Sequence, residues 1–325
     1  MKRQLRVPVA AAAMVVLQAC QPVALAPPPA APDPAPGPAR AVAPQVPVQP
    51  GVRSARSREL EAFYTRVEAN LRAQGLLRTD SGQRDAPFSH EDLVRTFEQI
   101  ALFEEYANVG GRIVAQKTPS RLHRWERPVL VELEFGAGVP EAKKARDRIS
   151  VAAFASRLSR ITGHPMRMAR NDGNFHVFIV DEDDRQQLGP RLRRLIPGIS
   201  EAALDTVINM PRSTYCLVFA WDPDDDGGYE KAVAVIRAEH PDLLRLSCIH
   251  EEMAQGMGLT NDSPEARPSI FNDDEEFALL TPHDELLLRI LYDRRLRPGM
   301  AAEEAMPIVR EIAAELYAEF VAGSS

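Results

Sequence analysis

Two stretches near the start of the folded part repeat apolar residues at helical spacing. Leu60, Phe63, Tyr64, Val67 and Leu71 share one face of Ser57 to Gly75, and Leu93, Phe97, Ile100, Ala101 and Phe103 share one face of Ser89 to Asn108. Ser89 and Asp92 have the spacing of a capping box, which places the second helix start there. The period then changes to two. Val129, Val131, Leu133 and Phe135 alternate within Trp125 to Phe135 and predict a strand. Ile149 to Thr162 returns to helical spacing and closes on Gly163, and Phe175 to Val180 is a second strand. Thr214 to Trp221 and Lys231 to Ala238 form a hairpin-like pair around Asp222-Pro223-Asp224-Asp225-Asp226-Gly227-Gly228. Pro241 to Leu259, with Leu243, Leu244, Leu246, Ile249 and Met253, and Ala301 to Val321 are the later helices. No internal repeat is present. The expected class is α+β, with helices packed on a small mixed sheet and a helical C-terminal part.

The first 56 residues follow other rules. Lys2, Arg3 and Arg6 precede an apolar run from Val7 to Leu17, a basic region leading into a hydrophobic one of signal-peptide length. The run is shorter than the roughly 20 residues that a membrane-spanning helix needs. Leu17-Gln18-Ala19-Cys20 looks like a lipobox, so residues 1–19 are expected to be a lipoprotein signal peptide and Cys20 the lipidated first residue of the mature chain. Gln21 after it resembles lipoproteins sent to the outer membrane, facing the periplasm, rather than kept in the inner one. Residues 20–56 are dominated by Pro, Ala and Val and read as a semi-rigid tether; at about 3.1 Å per residue it reaches roughly 100 Å. Residues 57–325 then form a single globular domain.

Charge and cysteines narrow the function classes. Three of the 39 Lys and Arg leave with the signal, so 36 basic residues face 46 acidic ones, a net charge of −10. Nucleic acid is excluded as an expected partner, and so is docking on anionic lipid by charge. The membrane is met through the lipid on Cys20. Cys216 and Cys248 remain, and an oxidising compartment predicts that they pair. Closing a loop of about 32 residues stabilises by roughly 3.5–4 kcal/mol in the chain-entropy account.

One segment carries a chemical signal. Cys248-Ile249-His250-Glu251-Glu252-Met253-Ala254-Gln255 invites the reading H-E-x-x-H, but Ala254 stands four residues after His250, where the second ligand belongs. Moved by one residue, Glu251-Glu252-x-x-Gln255-x-x-Gly258-x-x-Asn261 reproduces the metzincin spacing H-E-x-x-H-x-x-G-x-x-H with every histidine replaced. Glu252 keeps the general-base position and Gly258 the place where such a helix ends and turns. Leu280 to Asp293 resembles the C-terminal helix of matrixin-like peptidases, while Ser269-Ile270-Phe271-Asn272 stands where a Met-turn would be.

From Leu93 to Met300 the chain resembles more closely a family of exported bacterial proteins catalogued as domain of unknown function 2927. The matching residues are the Trp125 to Leu133 strand, Cys216, Cys248 to Asp262, Phe271-Asn272-Asp273-Asp274, Thr281-Pro282-x-Asp284 and Leu296 to Met300. The resemblance implies an exported zincin-like domain and brings no assigned reaction.

The donor set argues against zinc. Glu251, Gln255 and Asn261 offer one carboxylate and two neutral amides, where a catalytic zinc takes three good ligands and an open position. No metal and no cofactor is therefore expected. Calcium would need more oxygens, from Asp262, Asp273 and Asp274; the expectation is a polar helix face hydrogen-bonded across the cleft. Asp222 to Gly228 lacks the Glu that completes an EF-hand loop and reads as a wide turn. His250 reads as a helix-surface residue rather than an acid or base. His250 or His283 could be recruited to a metal by a broken helix or a nearby loop. Two functions stand: a non-catalytic envelope scaffold or binder of a protein or peptide, with the motif cleft formed by Glu251, Gln255, Gly258, Asn261 and Asp262, or an atypical hydrolase working through Glu252. The replaced ligands favour the first.

Overall fold

The computed structural model describes residues 53–109, 112–272 and 274–323. The signal, Cys20, most of the tether and Asp273 lie outside the described residues. Two units are separated at Val46 and Pro47, and all described residues belong to the second.

Helix α1 (Ala55–Ala73) begins where the Ser54 side chain accepts the Ser57 N–H. Helix α2 (His90–Ala101) has the full capping box of Ser89 and Asp92. It stops at Ala101, short of the expected Asn108. Strand β1 (Phe103–Val109) follows and pairs antiparallel with β2 (Arg112–Pro119) as a separate two-stranded sheet. The apolar stripe is continuous through Ala101; beyond it the backbone hydrogen bonds go to the neighbouring strand, which ends the helix.

The main sheet is built from β3 (Val129–Phe135), β4 (Met166–Ala169), β5 (Phe175–Val180), β6 (Cys216–Trp221) and β7 (Lys231–Arg237), in the order β4-β3-β5-β7-β6. The first four strands are parallel and β6 runs antiparallel to β7, so the sheet is mixed and the class is α+β. Helix α3 (Glu141–Thr162) crosses from β3 to β4 and ends at Gly163 in the left-handed region. Short helices α4 (Glu182–Arg185), α5 (Gly189–Leu195) and α6 (Glu201–Ile208) separate β5 from β6. The chain closes with α7 (Asp242–Gln255), α8 (Pro282–Leu291) and α9 (Ala302–Gly323). Among the described residues no helix is long and apolar enough to cross a membrane.

Both sheet faces are covered, which explains why β5 and nearly all of β7 are buried on both sides. On one face Val129, Val131, Phe175, Val177, Ala234 and Ile236 join the larger core with residues of α2, α3, α7, α8 and α9. On the other, Phe178, Val180, Val233 and Val235 pack on Leu192, Leu204 and Val207 of α5 and α6. Strand β3 alternates as expected, so Glu132 and Glu134 point away from the larger core.

At the carboxyl ends of β5 and β7 the chain buries charge. Glu182 pairs with Arg185 at 2.6 Å and with Arg237 at 3.2 Å. Glu239 accepts from the Glu182 N–H and from Ser57 Oγ, both at 2.7 Å, and Asp183 accepts the Ser54 N–H at 2.8 Å. The start of α1 is thereby keyed into the end of the sheet. Buried charges held this way are costly to strip of one partner, by about 3–5 kcal/mol.

Candidate functional site

Helix α7 is buried on nearly every side, and its polar residues are committed one by one. Pro241 gives no side-chain cap at its start; instead Glu68 of α1 accepts the Leu244 N–H at 3.0 Å. Arg245 binds both oxygens of Asp147 on α3, at 2.9 and 3.0 Å, and the His240 carbonyl at 2.7 Å. Cys248 is bonded to Cys216 with the Cα atoms 5.9 Å apart, so the expected disulfide fixes the middle of α7 to the start of β6.

His250 is not on the surface. It stacks on Phe154 with ring centroids 3.9 Å apart, and its Nδ1 accepts the Leu280 N–H at 3.2 Å. Burial, assisted by Arg157, pushes its pKa down to about 3, so the ring is neutral and carries its proton on Nε2. His283 is fully buried with its ring edge-on to Phe88, and burial lowers it to about 4. Each histidine is a core residue.

The five motif positions are distributed along the end of α7 and the turn after it. Glu251 is half-buried and Glu252 buried. Their carboxylates and Cys216 Sγ lie within 4.8 Å of one another, but that sulfur is spent in the disulfide and is no ligand. The helix ends at Gln255, four residues before the expected Leu259, and the Trp125 indole donates to the Gly256 carbonyl at 2.8 Å. Gly258 has φ +121°, and a Cβ there would stand 2.1 Å from the His123 carbonyl oxygen, so only glycine fits the turn. The chain then runs along the C-terminal end of α2. The Asn261 N–H donates to the Ile100 carbonyl at 3.1 Å, and its amide Nδ2 donates to the carbonyls of Gln99 and Asp262 at 2.8 and 2.7 Å. Gln255 Nε2 donates to Asp262 Oδ1 at 3.0 Å.

Two adjacent carboxylates, a disulfide sulfur and two amides spent on the Asp262 carboxylate and on backbone carbonyls do not fit zinc. Among the described residues, the acidic side chains of the candidate calcium loop are tied into local hydrogen bonds. Asp262 is engaged by Gln255, and Asp274 accepts the Glu276 N–H at 2.9 Å within a turn. Asp222 likewise accepts the Asp226 and Gly227 N–H groups at 3.3 and 2.7 Å, which makes the Asp222 to Gly228 run a turn.

Asp284 holds the Ser269 to Phe271 segment. It accepts from the Ile270 and Thr281 N–H groups at 3.1 and 2.9 Å and from the Ser269 hydroxyl, closing the capping box of α8. Full burial nonetheless raises its pKa to about 6. The stretch from α2 through Asp284 is thus one continuous hydrogen-bonded body. Residues 90–311 match the model of the family described as Protein of unknown function (DUF2927). The chain belongs to this family. No curated protein and no solved structure matches it.

The DUF2927 match contains every motif position and both disulfide cysteines. One group inside it escaped the sequence reading. Glu132 and Glu134 on β3 and His176 on β5 bring their ligand-capable atoms within 4.8 Å of one another. The usable signal was Glu-x-Glu on a strand, which puts both carboxylates on one face; the histidine enters only through the pairing of β3 with β5.

Proposed function

We propose that this protein is an exported lipoprotein, anchored through Cys20, whose DUF2927 domain is a non-catalytic scaffold or peptide-binding module in the cell envelope. The observation that carries the reading is the commitment of the metzincin-spaced positions to structure. Gln255 and Asn261 use their amides to bind Asp262 and the end of α2, and the disulfide ties α7 to the sheet without a metal. A zincin-like cleft rebuilt in this way keeps its shape and loses the means to activate water, since a carboxylate alone is a poor match for making hydroxide. The lipobox and tether support placement at a membrane, with the outer membrane favoured by Gln21.

Two measurements test the proposal. Purified full chain is expected to show no chelator-sensitive proteolysis of casein or peptide libraries, and Glu252→Gln to change nothing. Proteolysis that zinc restores and Glu252→Gln abolishes would establish the hydrolase instead. Mass spectrometry of the mature N-terminus is expected to find lipid on Cys20, and Cys20→Ser to leave an uncleaved precursor; an unmodified N-terminus elsewhere would remove the anchor from the account.

A further inference from the structure

His176 is 2% exposed, and neither ring nitrogen has a hydrogen-bond partner among the described residues. Buried polar groups are almost always bonded, so an imidazole left this way calls for an explanation. Its surroundings supply one. His176 is the register partner of Glu132 across the parallel β3–β5 pair, and Glu134 lies two residues further along the same face. Nδ1 stands 3.6 Å from Glu134 Oε1, too long for a hydrogen bond. That separation is close to the about 3.4 Å between two ligands held at 2.0–2.1 Å on one tetrahedral zinc.

The carboxylates are aimed by groups around them. The Gly173 N–H donates to Glu132 Oε2 at 2.9 Å, and a Cβ on Gly173 would stand 2.5 Å from Glu132 Cβ, so the loop before β5 can approach this closely only as glycine. Arg191 of α5 forks onto Glu134 at 2.7 and 3.2 Å and reaches Glu132 Oε1 at 3.6 Å. The guanidinium occupies the side of the cluster that opens to solvent; its side chain is 32% exposed and that of Glu134 30%.

We propose that Glu132, Glu134 and His176 form a site for one divalent transition-metal ion of the zinc class, with the Arg191 guanidinium as its exchangeable counter-ion. One imidazole and two carboxylates suit such an ion better than calcium or magnesium, which favour all-oxygen shells. Two negative charges match the dication. Three protein ligands on neighbouring strands leave a coordination position open toward the solvent side, where Arg191 now sits. Binding requires that the ligand atoms draw together from up to 4.8 Å and that Arg191 swing outward, both within the reach of side-chain rotation. The site lies on the sheet face opposite the larger core that receives α7, and it is independent of the reading given to Glu251 and Glu252. It also departs from the expectation of no metal, which weighed the α7 motif and the acidic loops but not these strands.

The test is calorimetric titration of the full chain in detergent micelles with zinc chloride at neutral pH, in a buffer that does not chelate. One zinc per chain is expected. Glu134→Gln and His176→Gln are each expected to weaken binding by about 10–100-fold. Arg191→Gln is expected to tighten it by roughly two- to fivefold, because it removes a competing charge worth about one partly exposed ion pair. Glu251→Gln is expected to leave affinity unchanged, which separates this site from α7. Should His176→Gln fail to fold, Glu134→Gln and Arg191→Gln carry the test, since both side chains are partly exposed. The proposal is overturned if neither the native chain nor Arg191→Gln binds zinc. It is equally overturned if Glu134→Gln leaves the affinity untouched, or if Arg191→Gln weakens it.

Discussion

His250 and His176 are both buried, and they teach opposite lessons about neighbourhood. His250 is followed by two glutamates in the chain, yet the groups it meets in space are the Phe154 ring and the Leu280 N–H. His176 is flanked by Phe175 and Val177, yet it faces Glu132 and Glu134 across a strand pair. A helix turns consecutive residues about 100° apart, so adjacency in sequence scatters side chains. A parallel strand pair does the reverse and sets residues far apart in the chain side by side. The histidine beside the motif thus meets apolar and backbone partners, and the buried imidazole without a hydrogen-bond partner among the described residues comes from a strand pair.

If the α7 region is structural, damaging it should cost stability in proportion to how firmly it is tied. The largest loss is expected from the paired change Cys216→Ser and Cys248→Ser. Without the 32-residue closure the domain should be less stable by roughly 3.5–4 kcal/mol in urea denaturation. A loss below about 1 kcal/mol would mean that α7 is held by its packing alone.

Acid provides the next test, because between about pH 6.5 and 3 His250 is neutral only while folded. Its folded pKa, about 3, lies below its unfolded value of 6.5. The stability it contributes is therefore full above 6.5 and falls as the pH drops toward about 3. Two pH units below 6.5 the loss from His250 alone is about 3 kcal/mol. His283 adds to it down to about 4. Asp284 runs the other way: raised from 3.8 to about 6, its contribution is present below 3.8 and lost as the pH rises through about 6, so it offsets part of the acid loss. His250→Gln should flatten the acid limb of the stability profile by about one proton. An unchanged slope would show that His250 is protonated in the folded protein and belongs with reactive groups after all.

A smaller effect is expected at Asn261, whose Nδ2 serves two carbonyls of the α2 junction. Asn261→Ala should cost about 1–2 kcal/mol by hydrogen-bond deletion. Asn261→His, which restores a peptidase ligand type, should be no better. A gain in zinc affinity on that change would reopen the cleft as a vestigial metal site.

The legible parts of the fold were those that local physics decides. Ser89 and Asp92 announced α2, Gly163 ended α3, and the turn-rich Asp222 to Gly228 run joined an antiparallel pair. The Cys216 to Cys248 link followed from the cysteine count and the expectation of an oxidising compartment. What was missed required partners. Phe103 continues the apolar stripe of α2 but belongs to β1, and the hint was Gly110-Gly111, a hairpin signal between two β-prone runs. His250 looked exposed because its surroundings, Phe154 and Leu280, come from elements distant in the chain. The Glu132, Glu134 and His176 cluster depended on strand order and register, which hydrophobic alternation does not specify.

The keyed start of α1 has a mechanical consequence. Ser54 and Ser57 bind Asp183 and Glu239 at the carboxyl ends of the central strands, and Glu68 caps α7. Any tension arriving along the chain from its N-terminal side therefore enters the domain at the end of its sheet. A load applied at that end would meet buried, bonded side chains before it met any surface helix.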